Sequence, residues 1–153
     1  MTATIRPSWK PGTRSQRQPI PSRNGRQILL VDHDPRALES LSASLSRQGF
    51  TVATAGDGAA AMRMASCQPT QLIVLDANLP DADGLSVCEH LTDDSSTNEI
   101  PVIVLSSESD PSIVRRARAA GCTYFLRKPF DPNVLLVLIE NSLRLRKVNW
   151  LAQ

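Results

Sequence analysis

The sequence predicts an α/β protein with a doubly wound, five-stranded parallel sheet. Short apolar runs, of the kind found in strands buried on both faces, alternate five times with stretches of helical periodicity. With 153 residues, 41% of them hydrophobic and only 4% aromatic, the chain is long enough for one domain with an aliphatic core and too short for two. Polar residues follow four of the five runs directly, so function is expected at the carboxyl edge of the sheet.

Each predicted strand is a short apolar run bounded by polar or turn-forming residues. The first, third and fourth runs contain four consecutive aliphatic residues, which is typical of the buried centre of a parallel sheet. The second run is weaker and precedes a turn at Gly56–Gly58. In chain order the predicted strands are Ile28–Val31, Thr51–Thr54, Leu72–Leu75, Val102–Leu105 and Tyr124–Leu126.

Five predicted helices follow the strands. The first has Leu38, Leu41 and Leu45 at i, i+3, i+7 spacing, with Gly49 after it as a stop signal. The second is rich in alanine and methionine and ends near Cys67. The other three are a helix after Gly84 that carries Leu85, Cys88 and Leu91, a helix over about Pro111–Ala120, and a helix over about Asp131–Arg146 with Leu136, Ile139 and Leu143 on one face.

Composition divides the chain into three parts. Residues 1–26 hold six basic residues, no acidic residue and four prolines without apolar periodicity, which predicts a flexible basic arm. A basic contact for an anionic partner and a transit peptide are the alternatives for this arm. The formal net charge of the whole chain is +2, and the rest of the chain without the arm carries −4, so basicity does not indicate a nucleic-acid-binding domain. Residues 27–147 form the predicted domain, and residues 148–153 form a short C-terminal tail.

Three features favour a cytoplasmic location. No apolar run approaches the roughly 20 residues of a membrane span, and the N-terminus lacks the apolar segment of a secretory signal. The three cysteines, Cys67, Cys88 and Cys122, are odd in number and have neither zinc-site nor disulfide-framework spacing. We therefore expect a reducing compartment and no membrane contact.

Polar side chains at the strand ends predict a charged crevice. The first strand is followed by Asp32, His33 and Asp34, and the third by Asp76. Ser106 follows the fourth strand directly, and Lys128 lies just beyond the end of the fifth. Carboxylates that lie close together resist ionisation unless cations compensate. Lys128 supplies one positive charge, and a hard divalent ion, Mg²⁺ first, would supply the rest through oxygen ligands.

The motifs resemble those of the receiver domains of two-component response regulators. The resemblance covers about residues 26–146, and the pattern D-x-x-L-P-x-x-D-G followed later by K-P-F is highly specific in this order. It implies a flavodoxin-like (βα)5 fold with strand order 2-1-3-4-5. The matching segments are Ile28–Pro35, Leu75–Pro80 continuing to Asp83–Gly84, Ile100–Ser106, Ala120–Gly121 and Lys128–Phe130.

The resemblance implies a phosphoacceptor rather than an enzyme. Asp76 would take a phosphoryl group from a histidine kinase or a histidine phosphotransfer protein, with Lys128 and Ser106 contacting phosphoryl oxygens. Mg²⁺ or Mn²⁺ would bind Asp32, Asp76 and the backbone carbonyl of Asn78, with His33 or Asp34 as a further candidate ligand. The Lys128–Pro129 bond is expected to be cis in this family.

The resemblance also assigns residues to switching and to loss of the phosphoryl group. Ser106 and Phe125 would form the conformational switch, and the side chains of Asn78 and Glu108 would tune dephosphorylation. Two positions depart from the family pattern. Phe125 stands where many members have a tyrosine, and His33 replaces the middle acid after the first strand, which predicts weaker Mg²⁺ binding. Tyr124 should point to the opposite face of the sheet from Phe125.

Two alternatives stay open at this point. One is a receiver-like interaction module that does not depend on phosphorylation, suggested by His33. The other is a haloacid-dehalogenase-type phosphohydrolase, which Asp32 and Asp34 fit as a D-x-D motif, although a later pair of strand-borne acids is missing. We expect no DNA-binding domain in this chain, a downstream protein target, and a homodimer of the phosphorylated form as one further option.

Overall fold

Five parallel strands form one sheet in the order β2-β1-β3-β4-β5, as the sequence predicts. The computed structural model describes residues 27–152, with side chains described to residue 144; the predicted arm, residues 1–26, lies outside the described residues. In chain order the elements are β1 Gln27–Val31, α1 Pro35–Arg47, β2 Val52–Ala55, α2 Gly58–Cys67, β3 Thr70–Asp76, α3 Gly84–Asp93, β4 Val102–Ser106, α4 Ser112–Ala119, β5 Tyr124–Arg127 and α5 Pro132–Ala152.

The sheet separates two apolar layers because side chains alternate between its faces. Leu29, Ile73 and Val104 face one layer, which is closed by α2, α3 and α4. Leu30 and Val74 face the other layer, which is closed by α1 and α5. The buried residues of both layers include no aromatic side chain, as the low aromatic content predicts. A doubly wound sheet of this kind has its binding crevice at the carboxyl ends of the strands.

Aspartates begin three of the helices by accepting backbone N–H groups of the first turn. Asp34 accepts from Arg36 at 3.0 Å at the start of α1. Asp57 does the same for α2 at 2.8 Å, and Asp83 for α3 at 3.0 Å. Such caps satisfy donors that have no partner within the helix. These three carboxylates are therefore committed to helix termini.

The boundaries of two elements, β3 and α5, differ from the prediction by more than one residue. Strand β3 begins at Thr70, two residues before the predicted start. Helix α5 continues to Ala152 and passes the predicted end at Arg146, because residues 147–152 include no proline or glycine to end it. Most of the predicted C-terminal tail is thus helical. Among residues 27–152, no helix combines the length and apolar character needed to cross a membrane.

Candidate functional site

Four strand ends bring Asp32, Asp76, Ser106 and Lys128 to the same edge of the sheet. Backbone hydrogen bonds hold these ends in register: the N–H of Ala77 donates to Leu105 at 2.8 Å, and the N–H of Lys128 donates to Ser106 at 2.8 Å. Asp32 and Asp76 are each only 3% exposed, and Ser106 is equally buried. The predicted convergence of acid, acid, hydroxyl and ammonium groups is therefore present in the structure.

The ammonium of Lys128 lies between the two buried carboxylates. Its Nζ donates a 3.1 Å hydrogen bond to Oδ2 of Asp32 and forms a 3.4 Å ion-pair contact with Oδ2 of Asp76. The peptide bond between Lys128 and Pro129 is cis, as the resemblance implies. One cation thus compensates two carboxylates, which leaves the cluster with an excess of negative charge when both are ionised.

The Asp76 carboxylate has one satisfied oxygen and one oxygen without a hydrogen bond. Oδ1 accepts from the backbone N–H of Asn78 at 3.1 Å. Oδ2 is buried and accepts no hydrogen bond from any described residue. Burial raises the pKa of Asp76 above its ordinary value and the nearby Asp32 charge adds to this, while the Asn78 bond and Lys128 oppose it. Burial of Oδ2 therefore carries a desolvation cost that no hydrogen bond from the described residues offsets.

His33 and Asp34, the two alternative ligands of the sequence analysis, have different positions. Nδ1 of His33 lies 3.4 Å from Oδ2 of Asp76 and 3.6 Å from Oδ1 of Asp32, and its side chain is 51% exposed. Asp34 is exposed and caps α1. Of these two neighbours of Asp32, His33 is therefore the one whose side chain contacts the Asp76 carboxylate.

Asp32, His33 and Asp76 could together hold a metal ion. Each offers one ligand atom, and the three atoms lie within 4.8 Å of one another. The buried, unbonded Oδ2 of Asp76 fits a cation, and two carboxylates are suitable ligands for a hard divalent one. At Asn78 the structure gives a backbone N–H bond to Asp76; the predicted metal contact of its carbonyl remains a prediction.

Ser106 and Phe125 lie on the same side of the sheet. Phe125 of β5 pairs with Val104 of β4, and Ser106 is two residues further along β4, so alternation directs both side chains towards α4. Phe125 packs in the layer formed by α2, α3 and α4, whereas Tyr124 packs in the opposite layer. The predicted divergence of Tyr124 and Phe125 is confirmed. The switching role of Ser106 and Phe125 remains a prediction.

Asn78 and Glu108 have exposed side chains. Each is tied to a buried site residue through its backbone. The N–H of Asn78 donates to Asp76, and the N–H of Glu108 donates to the Ser106 hydroxyl oxygen at 3.0 Å. Their side chains are consequently free to face solvent while their positions relative to the crevice are fixed by the main chain.

Gly84 supports the site in a way that the sequence analysis did not identify. A Cβ at this position would overlap the carbonyl oxygen of Asp76 and would lie 2.7 Å from Cα of Ala77. The first turn of α3 therefore packs directly on the backbone that carries Asp76, and only glycine allows this approach. The sequence signal was the glycine directly after Asp83, which we interpreted as a helix start and as part of the D-x-x-L-P-x-x-D-G pattern.

The loop between β3 and α3 is held from two sides by contacts that sequence reasoning missed. Asp81 accepts from the backbone N–H groups of Gly58 at 2.8 Å and Ala59 at 3.1 Å. These bonds at the start of α2 lower the pKa of Asp81. Asp83, besides capping α3, receives a 3.0 Å bond from the guanidinium of Arg116 on α4. The loop that carries Asn78 is thereby attached to two neighbouring helices.

The family of the chain follows from its similarity to known proteins. Residues 28–140 match the family model described as the response regulator receiver domain. The chain belongs to this family. It is a family of signalling domains rather than of classical enzymes, and the match does not support the haloacid-dehalogenase-type alternative.

Curated relatives of the chain are longer proteins. It is 40% identical over 124 residues to the transcriptional regulatory protein GltR of Pseudomonas aeruginosa, covering 80% of this chain and 51% of that protein. It is 37% identical over 122 residues to the response regulator MprA of Mycobacterium ulcerans, covering 80% of this chain and 52% of that one. The receiver thus spans about half the length of these relatives.

Solved receiver structures have the same fold. A signal receiver domain of a signal transduction histidine kinase from Syntrophus aciditrophicus superposes with a TM-score of 0.73 at 32% identity, covering 78% of this chain and 90% of that one. The chemotaxis protein CheY4 of Vibrio cholerae gives 0.72 at 29% identity, covering 77% and 98%. A CheY-like receiver from Methanospirillum hungatei, at 22% identity, gives 0.76 and supports the fold alone, with 81% and 98% covered.

Proposed function

We propose that this receiver accepts a phosphoryl group on Asp76 from a phosphohistidine of a histidine kinase or a histidine phosphotransfer protein. The observation that carries the proposal is the state of Asp76 Oδ2. This oxygen is buried, accepts no hydrogen bond from the described residues, and lies 3.4 Å from the Lys128 ammonium. An oxygen in this state is available as a nucleophile, whereas Asp34, Asp57 and Asp83 are engaged as helix caps.

In the proposed reaction, Oδ2 of Asp76 attacks phosphorus in line with the bond to the histidine nitrogen. The O–P bond forms as the N–P bond breaks, and the leaving imidazole keeps the electron pair and takes a proton from solvent. Such a transfer asks the protein mainly for positioning and for neutralisation of charge on the phosphoryl oxygens. Lys128 supplies a positive charge next to the nucleophile, and the Ser106 hydroxyl supplies a hydrogen-bond donor.

A divalent cation, Mg²⁺ or Mn²⁺ in our proposal, would be held by Asp32 and Asp76. When bound, it would offset the negative charge of these carboxylates and of the incoming phosphoryl group. The chain's own contribution is to orient the donors: the N–H of Asn78 fixes one oxygen of Asp76 and leaves Oδ2 facing the crevice. The N–H of Asp34 fixes Oδ1 of Asp32 through a 2.9 Å bond, and Lys128 binds its Oδ2.

Signalling would follow from a change at Ser106 and Phe125. A phosphoryl group on Asp76 offers acceptor oxygens to Ser106, whose hydroxyl oxygen otherwise accepts from the Glu108 N–H. Movement of Ser106 would open space beside Phe125 on the α4 side of the sheet. The resulting change at α4 and β5 would be read by a downstream protein, in the cytoplasm, with dimerisation of the phosphorylated form as a further option.

A second candidate is an interaction module that does not depend on phosphorylation. The contact of His33 Nδ1 with Oδ2 of Asp76 at 3.4 Å favours it, because the imidazole lies against the oxygen that would have to attack phosphorus. Asp76 would then be a structural carboxylate. Labelling separates the two functions, since only the phosphoacceptor gains a phosphoryl group.

The test is intact-mass measurement after incubation with acetyl phosphate and a divalent ion. We expect one added phosphoryl group on the wild type and none on Asp76→Asn. Asp93→Asn is the matched control, because Asp93 is an exposed residue at the end of α3, remote in sequence from the strand ends. Equal labelling of wild type and Asp76→Asn would contradict the proposal, and no labelling of any variant would favour the interaction module.

A further inference from the structure

The crevice contains an imidazole nitrogen that could bind a metal ion. His33 lies between the acids Asp32 and Asp34 in sequence, and its Nδ1 faces the same space as the Asp76 carboxylate. Among the described residues, the group able to hold a metal consists of two carboxylates and this imidazole. An imidazole nitrogen suits first-row transition ions, whereas Mg²⁺ strongly prefers oxygen.

Separations between the ligand atoms also favour a transition ion. Nδ1 of His33 is 3.4 Å from Asp76 Oδ2 and 3.6 Å from Asp32 Oδ1. Ligands bound at about 2.05 Å stand about 3.3 Å apart around a tetrahedral ion such as Zn²⁺. Adjacent ligands of an octahedral Mg²⁺ stand only about 2.9 Å apart at its usual bond length. The two separations from Nδ1 are closer to the tetrahedral value, and all three ligand atoms lie within 4.8 Å of one another.

The two oxygens of Asp32 have different neighbours, and the oxygen that Lys128 does not bind lies on the side of His33. Oδ2 accepts the hydrogen bond from Lys128, and Oδ1 lies nearer to the imidazole. Asp76 Oδ2, buried and without a hydrogen bond from the described residues, completes the three donors. A cation at this point would satisfy that oxygen without displacing Lys128 from Asp32.

We propose that His33 makes this site selective for a first-row transition ion, with Co²⁺ and Zn²⁺ bound through its Nδ1 together with Asp32 and Asp76. The inference concerns the cation site of the proposed function and rests on it. It changes the expected ion from a hard one held by oxygen alone to one held by nitrogen and oxygen. A receiver with an acid at position 33 would lack the nitrogen and would favour harder ions.

Co²⁺ is the probe for the test, because its visible absorption reports coordination geometry and nitrogen ligation. All proteins carry Cys67→Ser, since Cys67 is an exposed thiol. The 153-residue chain is titrated with Co²⁺ while its visible absorption is recorded. Its affinities for Co²⁺ and Mg²⁺ are measured by calorimetry. The variants are His33→Asp and His33→Asn, whose folding is checked by circular dichroism. His90→Asn is the matched control, because His90 is the other histidine of the chain.

We expect an intense visible band in the Cys67→Ser protein and in His90→Asn, and its loss in both His33 variants. The preference for Co²⁺ over Mg²⁺ should fall by about tenfold or more in His33→Asp, as loss of even a supporting contact to a metal ligand has effects of this size. Unchanged spectra and preference in both His33 variants, or loss of the band in His90→Asn, would overturn the inference. These readouts need no phosphodonor, so they are independent of labelling at Asp76. If Asp76 is not labelled but the visible band depends on His33, the proposed function is refuted and the inference about the metal ion stands.

Discussion

Lys128 makes its hydrogen bond to Asp32 and not to Asp76. Its Nζ is 3.1 Å from Oδ2 of Asp32, while the 3.4 Å contact with Asp76 is an ion pair without a hydrogen bond. Asp32 therefore holds the ammonium beside the nucleophile and leaves the Asp76 oxygen open. In this arrangement Asp32 positions the Lys128 ammonium, and this ammonium lies where the phosphoryl oxygens would arrive.

Lys128→Ala should accept phosphate slowly and fail to change conformation. The variant keeps the nucleophile Asp76 but loses the charge that would bind the phosphoryl group and transmit its presence to β5. Chemical-shift mapping with beryllofluoride, a phosphoryl mimic, checks this, with Arg127→Ala as control because Arg127 is the exposed neighbouring residue. Shift changes of wild-type size in Lys128→Ala would contradict the predicted coupling.

Asp76→Asn should stabilise the metal-free protein, and the gain should grow with pH. Burial raises the folded-state pKa of Asp76 above its ordinary value of 3.8, so the folded state binds the proton more tightly than the unfolded chain. Proton binding by Asp76 therefore contributes to the free energy of unfolding of the wild type. This contribution is complete below pH 3.8 and is lost as the pH rises through the raised pKa. Relief of an unsatisfied buried oxygen predicts a gain on the order of 1 kcal/mol at neutral pH.

Urea unfolding in the presence of a chelator, at several pH values between 4 and about 7, measures this gain. Asp93→Asn is again the control and should follow the wild type at every pH. A constant difference between Asp76→Asn and the wild type across this range would mean that Asp76 does not titrate in the folded state as its burial requires.

Gly84→Ala should destabilise the fold, by about 1–3 kcal/mol if the backbone yields as overpacked sites do. The added methyl group would overlap the carbonyl oxygen of Asp76, so phosphorylation should slow as well. Gly56→Ala is the matched control, because a Cβ there meets nothing within 4 Å. Thermal unfolding and acetyl phosphate labelling are measured on both, and equal behaviour would show that α3 does not constrain Asp76.

The lifetime of the phosphoryl group should depend on Asn78 and Glu108. Their side chains are exposed, and their backbone N–H groups bind the side chains of Asp76 and Ser106. A polar amide and a carboxylate at these positions can orient an attacking water molecule. Replacing both by alanine should slow the loss of phosphate, measured as the decay of the phosphorylated mass. Asn98→Ala with Glu99→Ala is a matched pair of exposed residues on another loop and should leave the decay unchanged.

The sequence predicted the sheet and the polar residues that lie at its carboxyl edge, because both depend on short-range patterns. Runs such as Leu72–Leu75 mark buried strands, and a polar residue after a strand must lie at the carboxyl edge. The sequence did not decide between His33 and Asp34 as the further ligand, since the side chain of either neighbour of Asp32 could point towards Asp76. In the structure Asp34 caps α1. The end of α5 was missed because no residue there marks a stop.

Contacts between distant parts of the chain left no signal in the sequence. Asp81 binds backbone N–H groups 22 and 23 residues away, and Arg116 pairs with an aspartate 33 residues away. Both involve exposed charged side chains without periodicity, so no local pattern predicts them. They become visible only once the sheet has placed α2, α3 and α4 beside the loop that carries Asn78.

Direct localisation of the modified residue tests the central claim, that Asp76 is the phosphoacceptor. The protein is treated with acetyl phosphate and a divalent ion, an aspartyl phosphate is reduced with borohydride to homoserine, and tandem mass spectrometry of the peptides locates the change. The structure predicts homoserine at position 76 alone, at the carboxylate whose Oδ2 accepts no hydrogen bond from the described residues. Homoserine at another aspartate, such as Asp32, with position 76 unchanged would contradict the account.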